Sequence, residues 1–249
     1  MQSGEPLLWG ITMTRLIQIL FLIVLLVCSP ITADADPDTA RVLVSGGEYN
    51  LGSLYCEEEQ GNADWCNDEV PRKVKLVAFW IDKYEVSNAN YRECFIAGVC
   101  EPSVLHEDRP QDFNKPLQPV VFVSWEDAKT YCSWRGGNLP TDVQWEVAAE
   151  GEKLGGAHFG KPYGNGFPEI IGKFEANSHG LFDMMGNVYE WTLSEYGPSG
   201  KNKVVRGGAW NSASHFLRTS DRVGKDPELR YSDVGFRCVK PTQRGAYKP

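Results

Sequence analysis

Six cysteines spread over the chain constrain its fold more than any other feature of the sequence. A seventh, Cys28, belongs to an apolar segment near the N terminus. An even number of cysteines in an exported chain indicates a set of disulfides, although six cysteines allow many pairings. The alternative is that some of them are free buried thiols, which is less common outside the cytoplasm.

The N-terminal segment predicts export. Residues 16–28 read LIQILFLIVLLVC, follow Arg15, and are too few to span a bilayer comfortably. Ala33 and Ala35 then form an A-x-A cleavage signal. We therefore expect residues 1–35 to be a cleaved signal peptide, which makes the mature protein periplasmic or secreted, with no membrane partner.

Two alternatives concern this segment. Met13 is a more natural start of translation than Met1. Lipidation of Cys28 is a second alternative, although Val27 is bulkier than the residue that usually precedes a lipidated cysteine. In each case residues 36–249 have the length of one domain, and we expect a single domain there.

The composition is that of a folded protein with an acidic surface. Hydrophobic residues make up 42% of the chain. Without residues 1–35 the acids fall from 33 to 31 and the bases from 25 to 24, which gives a net charge of −7. Because no cluster of Lys or Arg is present, this charge argues against nucleic acid as a partner.

The positions of the six cysteines indicate three bridges. Two pairs each bracket a short loop, and such pairs are expected to form local bridges. The remaining two cysteines would close the longest loop and so restrict the unfolded chain most. The expected bridges are Cys56–Cys66, Cys94–Cys100 and Cys132–Cys238.

Strands and short helices are mixed along the first half of the chain. Residues 41–52 predict a pair of strands joined at Gly46 and Gly47, and residues 73–86 predict a β run. Three helices are indicated by residues that can cap an N terminus. These residues are Ser87, Ser124 with Asp127, and Thr141 with Gln144.

From residue 151 onward the chain is rich in Gly, Asn and Trp and has few periodic segments. Much of this half must therefore be ordered loop. Such a structure usually depends on disulfides or metal ions in place of regular backbone pairing.

Six motifs together resemble one family. They are similar, in order and approximate spacing, to the sulfatase-modifying-factor domain of the formylglycine-generating enzymes, over about residues 41–240. The resemblance implies an α+β, C-type-lectin-like fold with little regular secondary structure, and it favours the Cys132–Cys238 bridge. The motifs are FWIDKYEVSNANYRECF, PVVFVSWEDAKTYCSW, GGNLPTDVQWEVAAEG, GLFDMMGNVYEW, VVRGGAW and DVGFRC.

The motif GLFDMMGNVYEW is a candidate calcium site. By its spacing alone the segment reads as a structural turn, whereas the resemblance favours a structural calcium ion, which accepts carbonyls beside carboxylates. In this reading Asn187 is a turn residue that bonds its own backbone. The positions that match the ligands of the family are Asp183, Gly186, Val188 and Glu190.

Residues 206–222, RGGAWNSASHFLRTSDR, bear on activity. The resemblance implies an oxidase that holds copper(I) between two cysteines, because soft thiolates suit that ion. This chain has Ser212 and Leu217 at those positions, and Ala209 where the enzymes carry a serine. We therefore assign no catalytic residue and expect no copper.

The same segment supplies a candidate ligand cleft. It consists of Trp210, Asn211, Ser212 and His215. The other tryptophans within the motifs are expected in the core, namely Trp80, Trp125, Trp145 and Trp191. Four arginines that match the family are expected in buried ion pairs or backbone bonds, namely Arg206, Arg218, Arg222 and Arg237.

Two functions remain open at this point. The first is an exported binding or regulatory module that presents the cleft to a peptide, a protein or another small ligand. The second is a formylglycine-generating or other divergent oxidase that acts on protein cysteine. The missing pair of cysteines favours the first, because function resides in the site and not in the fold.

Overall fold

The computed structural model describes residues 40–60, 66, 69–104, 106–152 and 154–242. The expected signal peptide, residues 1–35, and Cys28 lie outside this part of the chain. Nine strands are described: β1 Arg41–Val44, β2 Gly47–Leu51, β3 Arg72–Leu76, β4 Phe79–Asp82, β5 Tyr189–Tyr196, β6 Asn202–Arg206, β7 Val223–Lys225, β8 Val234–Gly235 and β9 Val239–Pro241.

The described residues contain five α-helices, of which the first lies between β2 and β3 and the other four lie between β4 and β5. They are α1 Tyr55–Gln60, α2 Asn88–Ile96, α3 Pro110–Phe113, α4 Trp125–Trp134 and α5 Asp142–Ala148. Two 3₁₀ turns, Leu154–Gly156 and Ser214–Leu217, follow in the loop-rich half.

Three small sheets organise the domain. The first has the order β1-β4-β9 and joins the start of the described chain to its end. The second pairs β2 with β3, and the third has the order β7-β6-β5-β8, in which β5 and β8 are parallel. This mixture of helices, small sheets and long ordered loops is the expected α+β, C-type-lectin-like fold.

The expected strand pair at residues 41–52 is wrong. Strands β1 and β2 do form there, but β1 pairs with β4 and β2 pairs with β3. The chain changes sheet at Gly46, where an added Cβ would lie 3.0 Å from the backbone nitrogen of Ala78. The predicted β run at residues 73–86 is likewise divided, because β3 belongs to the second sheet and β4 to the first.

The three capping predictions are confirmed. The Ser87 side chain accepts a hydrogen bond from the backbone of α2. Complete capping boxes open α4, with Ser124 and Asp127, and α5, with Thr141 and Gln144. These helices are thus fixed by local sequence.

Two clusters of buried side chains form the core. One surrounds α4 and the third sheet and contains Tyr131, Trp191 and Phe236; the other surrounds α5 and contains Ile81 and Trp145. Trp125 is partly buried. The expectation that Trp80 is a core residue is wrong, because Phe79 and Ile81 face inward on β4 and Trp80 is 38% exposed.

The structure contains the three expected disulfides. They are Cys56–Cys66, Cys94–Cys100 and Cys132–Cys238. The last joins α4 to the residue before β9 and spans a sequence separation of 106. Within the described residues, no helix is both long and apolar enough to cross a bilayer.

Candidate functional site

Two glycines introduce the segment that carries the candidate site. Gly207 and Gly208 have φ angles of 90° and 74°, which favour glycine. The next residues are tied to two other loops, because the backbone nitrogen of Trp210 donates to the Asn187 carbonyl and the Trp210 carbonyl accepts from Lys161. The segment therefore has one defined path.

The two positions that the resemblance associates with copper hold unsuitable side chains. Ser212 is buried, and its Oγ accepts a hydrogen bond of 2.9 Å from the backbone nitrogen of Ala209. Leu217 is fully buried. In the part of the chain that the structure describes, every cysteine belongs to a disulfide, so these residues do not fit a copper(I) thiolate centre.

The four cleft candidates are divided between two cavities. Trp210 borders one of about 360 Å³, and His215 borders another of about 450 Å³ beside Tyr196 and Phe216. Asn211 donates to Asp233, which lines the first cavity. Ser212 is buried and lines neither.

We call the cavity of about 360 Å³ that Trp210 borders the aromatic cavity. Its walls contain rings that contact one another: His106 stacks on Phe113 with centroids 4.6 Å apart, and Tyr163 lies 5.8 Å from Trp210. Gly166 allows this arrangement, because an added Cβ would lie 2.6 Å from the Trp210 ring. The cavity is lined by His106, Arg109, Phe113, Phe122, Tyr163, Trp210, Lys225, Arg230, Tyr231, Ser232 and Asp233.

Phe122, in the wall of this cavity, has an unusual backbone. Its φ of 55° is in the left-handed region, which is unfavourable for a bulky residue. Its backbone nitrogen donates to the Tyr231 carbonyl, and its own carbonyl accepts from Arg230. Such strain is often found at binding sites, where the surrounding structure maintains it.

The expected calcium loop is held by buried side chains. Asp183 and Asn187 have φ angles of 57° and 58°. The Asn187 side chain accepts from the backbone of Glu169 and donates to Glu85 at 2.7 Å. The expectation that it bonds its own backbone is therefore wrong, because it connects two distant segments.

The two carboxylates of this loop differ in their fit to calcium. Both oxygens of Glu190 accept hydrogen bonds from Arg237, and Oε2 also accepts from Trp145. Asp183 uses Oδ2 to accept from Gly172, while its buried Oδ1 has no partner among the described residues. Asp183 thus fits a calcium ligand, whereas Glu190 as arranged does not.

Burial makes this region a cluster of disfavoured negative charge. Desolvation raises the pKa of Asp183 to about 6. It also raises the pKa of Glu85 well above its usual range, with further contributions from Asp183 and Glu190. Glu85 Oε1 likewise has no partner within the described segments.

No three His, Cys, Asp or Glu side chains of the described residues come together as a metal site of their own. A calcium site would therefore depend on backbone carbonyls, for which Gly186 and Val188 are the candidates. The carboxylate of Asp183 would supply charge.

The sequence of the chain matches a known domain family. The family described as the sulfatase-modifying factor enzyme 1-like domain matches residues 30–242. The chain belongs to this family. Its relatives include proteins named as formylglycine-generating enzymes and proteins named as an inactive form of that enzyme.

The chain is similar over most of its length to several of these relatives. It is 30% identical to the mouse (Mus musculus) inactive C-alpha-formylglycine-generating enzyme 2, over 95% of this chain and 97% of the relative. Its bovine (Bos taurus) counterpart is 37% identical over 82% and 88%. The Streptomyces coelicolor formylglycine-generating enzyme is 30% identical over 80% and 88%.

Solved structures with the same fold include PvdO from Pseudomonas aeruginosa. PvdO is 21% identical, with a TM-score of 0.67 over 84% of this chain and 96% of that protein. Variable protein 1 of Treponema denticola is 20% identical, with a TM-score of 0.66 over 81% and 94%. At these identities the similarity establishes the fold alone.

The sequence did not identify most of the aromatic cavity of this family member. His106 and Arg109 lie on one segment and Lys225 and Arg230 on another, distant one, and no motif connects the two. Arg109 is recognisable only after folding, when its guanidinium packs 5.2 Å from Phe113 and donates to the Gly166 carbonyl.

The arginine predictions are confirmed. Arg206 is fully buried and pairs with Asp142 and Glu146. Arg222 also pairs with Asp142, and Arg218 pairs with Glu69. With Arg237 on Glu190, all four arginines make structural ion pairs.

Proposed function

We propose that this protein is an exported, ligand-binding member of the formylglycine-generating-enzyme family that lacks the copper-thiolate oxidase activity. One observation carries the proposal. The positions that resemble the copper thiolates hold Ser212, whose hydroxyl bonds the backbone, and Leu217, which is fully buried.

The chemistry of these two side chains supports the loss of activity. A serine hydroxyl is a hard ligand that is hardly ionised at neutral pH, and a leucine offers no donor atom. The disulfides occupy the remaining cysteines of the described chain, so they supply no substitute thiol. The mouse and bovine relatives that are named inactive are consistent with this proposal.

Export is supported by two separate features. Three disulfides are typical of proteins outside the cytoplasm. Residues 16–35 carry an apolar run and an A-x-A signal. We infer a periplasmic or secreted protein.

Ligand binding is assigned to the cleft at Trp210. The ring of Trp210 forms part of the aromatic cavity, and Asn211 orients Asp233 on its wall. A concave site with several rings and a few polar groups is typical of ligand binding. We infer a peptide or another small ligand as partner.

A structural calcium ion is the second part of the proposal. Asp183 would hold it through Oδ1, together with the carbonyls of Gly186 and Val188. Glu190 would join only if it shared its carboxylate with Arg237. A bound cation would favour the ionised form of Asp183, whose pKa is raised to about 6 by burial.

The test of function is an oxidase assay on a cysteine-containing sulfatase-type peptide, with and without added copper(I). We expect no oxygen consumption and no aldehyde product from the native protein. In the double variant Ser212→Cys with Leu217→Cys, we expect copper(I) binding at one equivalent. The variant Ser212→Cys with Leu217 retained is the control, and it should bind copper(I) more weakly because one thiolate is missing.

The alternative function is a formylglycine-generating or other divergent oxidase. The 30% identity to the Streptomyces coelicolor enzyme supports keeping it as an outcome of the same assay. Aldehyde formed by the native protein would establish that alternative and end the proposal of an inactive domain.

A further inference from the structure

The aromatic cavity has one set of walls suited to a flat apolar group. Phe113 lies 6.0 Å from Trp210 and 6.1 Å from Phe122, measured between ring centroids. Tyr163 and Tyr231 add two further rings to the lining. Phe113 and Trp210 are almost fully buried, so the rings open to a ligand are those of Phe122, Tyr163 and Tyr231. Aromatic rings favour stacked or edge-to-face neighbours, so these three rings suit a planar group.

The other wall carries three cationic side chains. Arg109, Lys225 and Arg230 line the cavity, against a single lining carboxylate, Asp233. The ammonium of Lys225 lies 3.7 Å from Asp233, which is an ion pair without hydrogen-bond contact. The same ammonium lies 4.5 Å from the centroid of the Tyr231 ring, where the apolar and charged walls meet.

The neighbours of the two arginines limit the charge that the cavity accepts. Arg109 pairs with Asp112 at 2.9 Å, and Arg230 pairs with Asp127 at 2.7 Å. Since Lys225 also pairs with Asp233, the charges of the three cations are balanced by three carboxylates. Lys225, whose ion pair has no hydrogen bond, is therefore the cation most available to a ligand. A ligand with one negative charge is matched better than a dianion.

His106 adds a hydrogen-bond donor to the lining. Its Nδ1 accepts a hydrogen bond of 3.2 Å from the backbone nitrogen of Arg109. A neutral imidazole that accepts at Nδ1 carries its proton on Nε2. The ring can therefore donate, as the three cations can, to an oxygen of a ligand.

We propose that the aromatic cavity binds a small ligand in which a planar ring is linked to a carboxylate. The ring packs against Phe122, Tyr163 and Tyr231. The carboxylate pairs with Lys225 and accepts from the arginines. A cavity of about 360 Å³ has room for one such group. This inference rests on the proposed ligand-binding function and specifies its ligand.

Two sources can supply this chemistry: a free aromatic acid, or the C-terminal aromatic residue of a peptide. The probes are N-acetyl-L-phenylalanine and a hexapeptide that ends in phenylalanine with a free carboxylate. Each is compared by calorimetry with its neutral C-terminal amide. We expect the acid form to bind at least about tenfold more tightly than the amide, since the ion pair is lost with the charge.

The structure offers a matched control for the charged wall. Lys203 lies opposite Lys225 in the β6–β7 ladder but does not line the cavity. Like Lys225 it has a carboxylate and a ring as neighbours, since its ammonium lies 3.5 Å from Glu195 and 4.6 Å from the centroid of the Trp125 ring. Lys225→Met should reduce the preference for the acid at least about threefold. Lys203→Met should leave it unchanged, and Lys225→Arg should retain it.

Thermal unfolding of the three variants verifies that each is folded. If the acid form binds more tightly than the amide for only one of the two probes, that probe identifies the source of the ligand. Equal binding of acid and amide, equal effects of the two methionine variants, or absence of saturable binding of either acid at about millimolar concentration would each overturn the inference. None of these results would restore oxidase activity, so the proposed loss of activity is judged separately.

Discussion

Arg237 and Glu190 form a fully buried ion pair in which one guanidinium contacts both carboxylate oxygens, at distances of 2.6 to 2.9 Å. The same guanidinium also donates to the Phe182 carbonyl at 2.8 Å. The pair thus connects Glu190 on β5 with Arg237, which precedes β9, and with the loop that carries Phe182 and Asp183.

Removing one member of this pair should destabilise the fold strongly. Arg237→Met leaves Glu190 buried without its partner, and we expect the free energy of unfolding to fall by about 3–5 kcal/mol. Urea denaturation measures the change. As a control, Glu126→Gln breaks the exposed pair with Lys129 and should change stability by less than about 0.5 kcal/mol. A loss of similar size in both variants would contradict this account.

The three disulfides should differ in their contributions. The chain-entropy model gives about 4–5 kcal/mol for Cys132–Cys238, with its separation of 106, and roughly 2–3 kcal/mol for Cys94–Cys100, with its separation of 6. Paired Cys→Ala variants, unfolded in urea, provide the comparison. The model does not apply here if removal of the short bridge destabilises the protein as much as removal of the long one.

Calcium should stabilise the protein if it binds at Asp183. An ion that binds only the folded state at a hundredfold excess over its Kd adds about 2.7 kcal/mol to the free energy of unfolding. A chelator should therefore lower the melting temperature of the native protein and have no effect on Asp183→Ala. Asp233→Ala, which changes a carboxylate of the aromatic cavity, should keep the response. Identical melting curves with and without chelator would remove calcium from the proposal.

Asp82 should make stability depend on pH. Burial raises the pKa of this carboxyl from its ordinary value of 3.8, in spite of the hydrogen bond from Arg41. The folded state thus holds a proton that the unfolded state releases, and this contribution to stability is lost as pH rises above 3.8 toward the folded pKa.

The variant Asp82→Asn cannot titrate and isolates this effect. We expect the stability of the native protein relative to Asp82→Asn to decrease as the pH rises from about 3.5 to about 7. Chemical denaturation at a series of pH values measures the difference. A difference that grows with pH would show that the ion pair with Arg41 outweighs burial.

The left-handed backbone of Phe122 predicts that glycine and alanine variants rank in opposite orders of stability at this position and at a helical position. Phe122→Gly should be more stable than Phe122→Ala, by about 1 kcal/mol, because glycine adopts a φ of 55° without strain. At Phe113, the last residue of α3, the order should reverse, since alanine is the better helix former. Thermal unfolding of the four variants compares the two positions, and the same order at both would refute the argument.

Local sequence predicted α2, α4 and α5 because each of their caps is formed within four residues, whereas α1 and α3 were not predicted. Ser124 and Asp127 carry the information for the start of α4, and no distant contact is needed. The pairing of β1 and β2 was not predictable in this way. It depends on β4 and β3, which lie about 38 and 25 residues further along the chain.

In the candidate site, too, the sequence identified what lies within one motif and missed what distant segments bring together. Ser212 and Leu217 were identified because they belong to one continuous motif. The cavity that includes Trp210 was not, because its charged wall is supplied by Arg109 from one segment and by Lys225 and Arg230 from another, distant one. The strain at Phe122 has no local signal either, since glycine would be the usual residue there.

The pairing of β4 with β9 has a consequence for biosynthesis. Phe79 faces Pro241 across this ladder, about 160 residues later in the chain. At ordinary rates of translation the second strand follows the first by on the order of ten seconds. During that interval β4 has one open hydrogen-bonding edge, which is a surface that chaperones recognise and that other nascent chains can pair with. Productive folding of this domain therefore depends on protecting that edge until residues 239–241 have been synthesised.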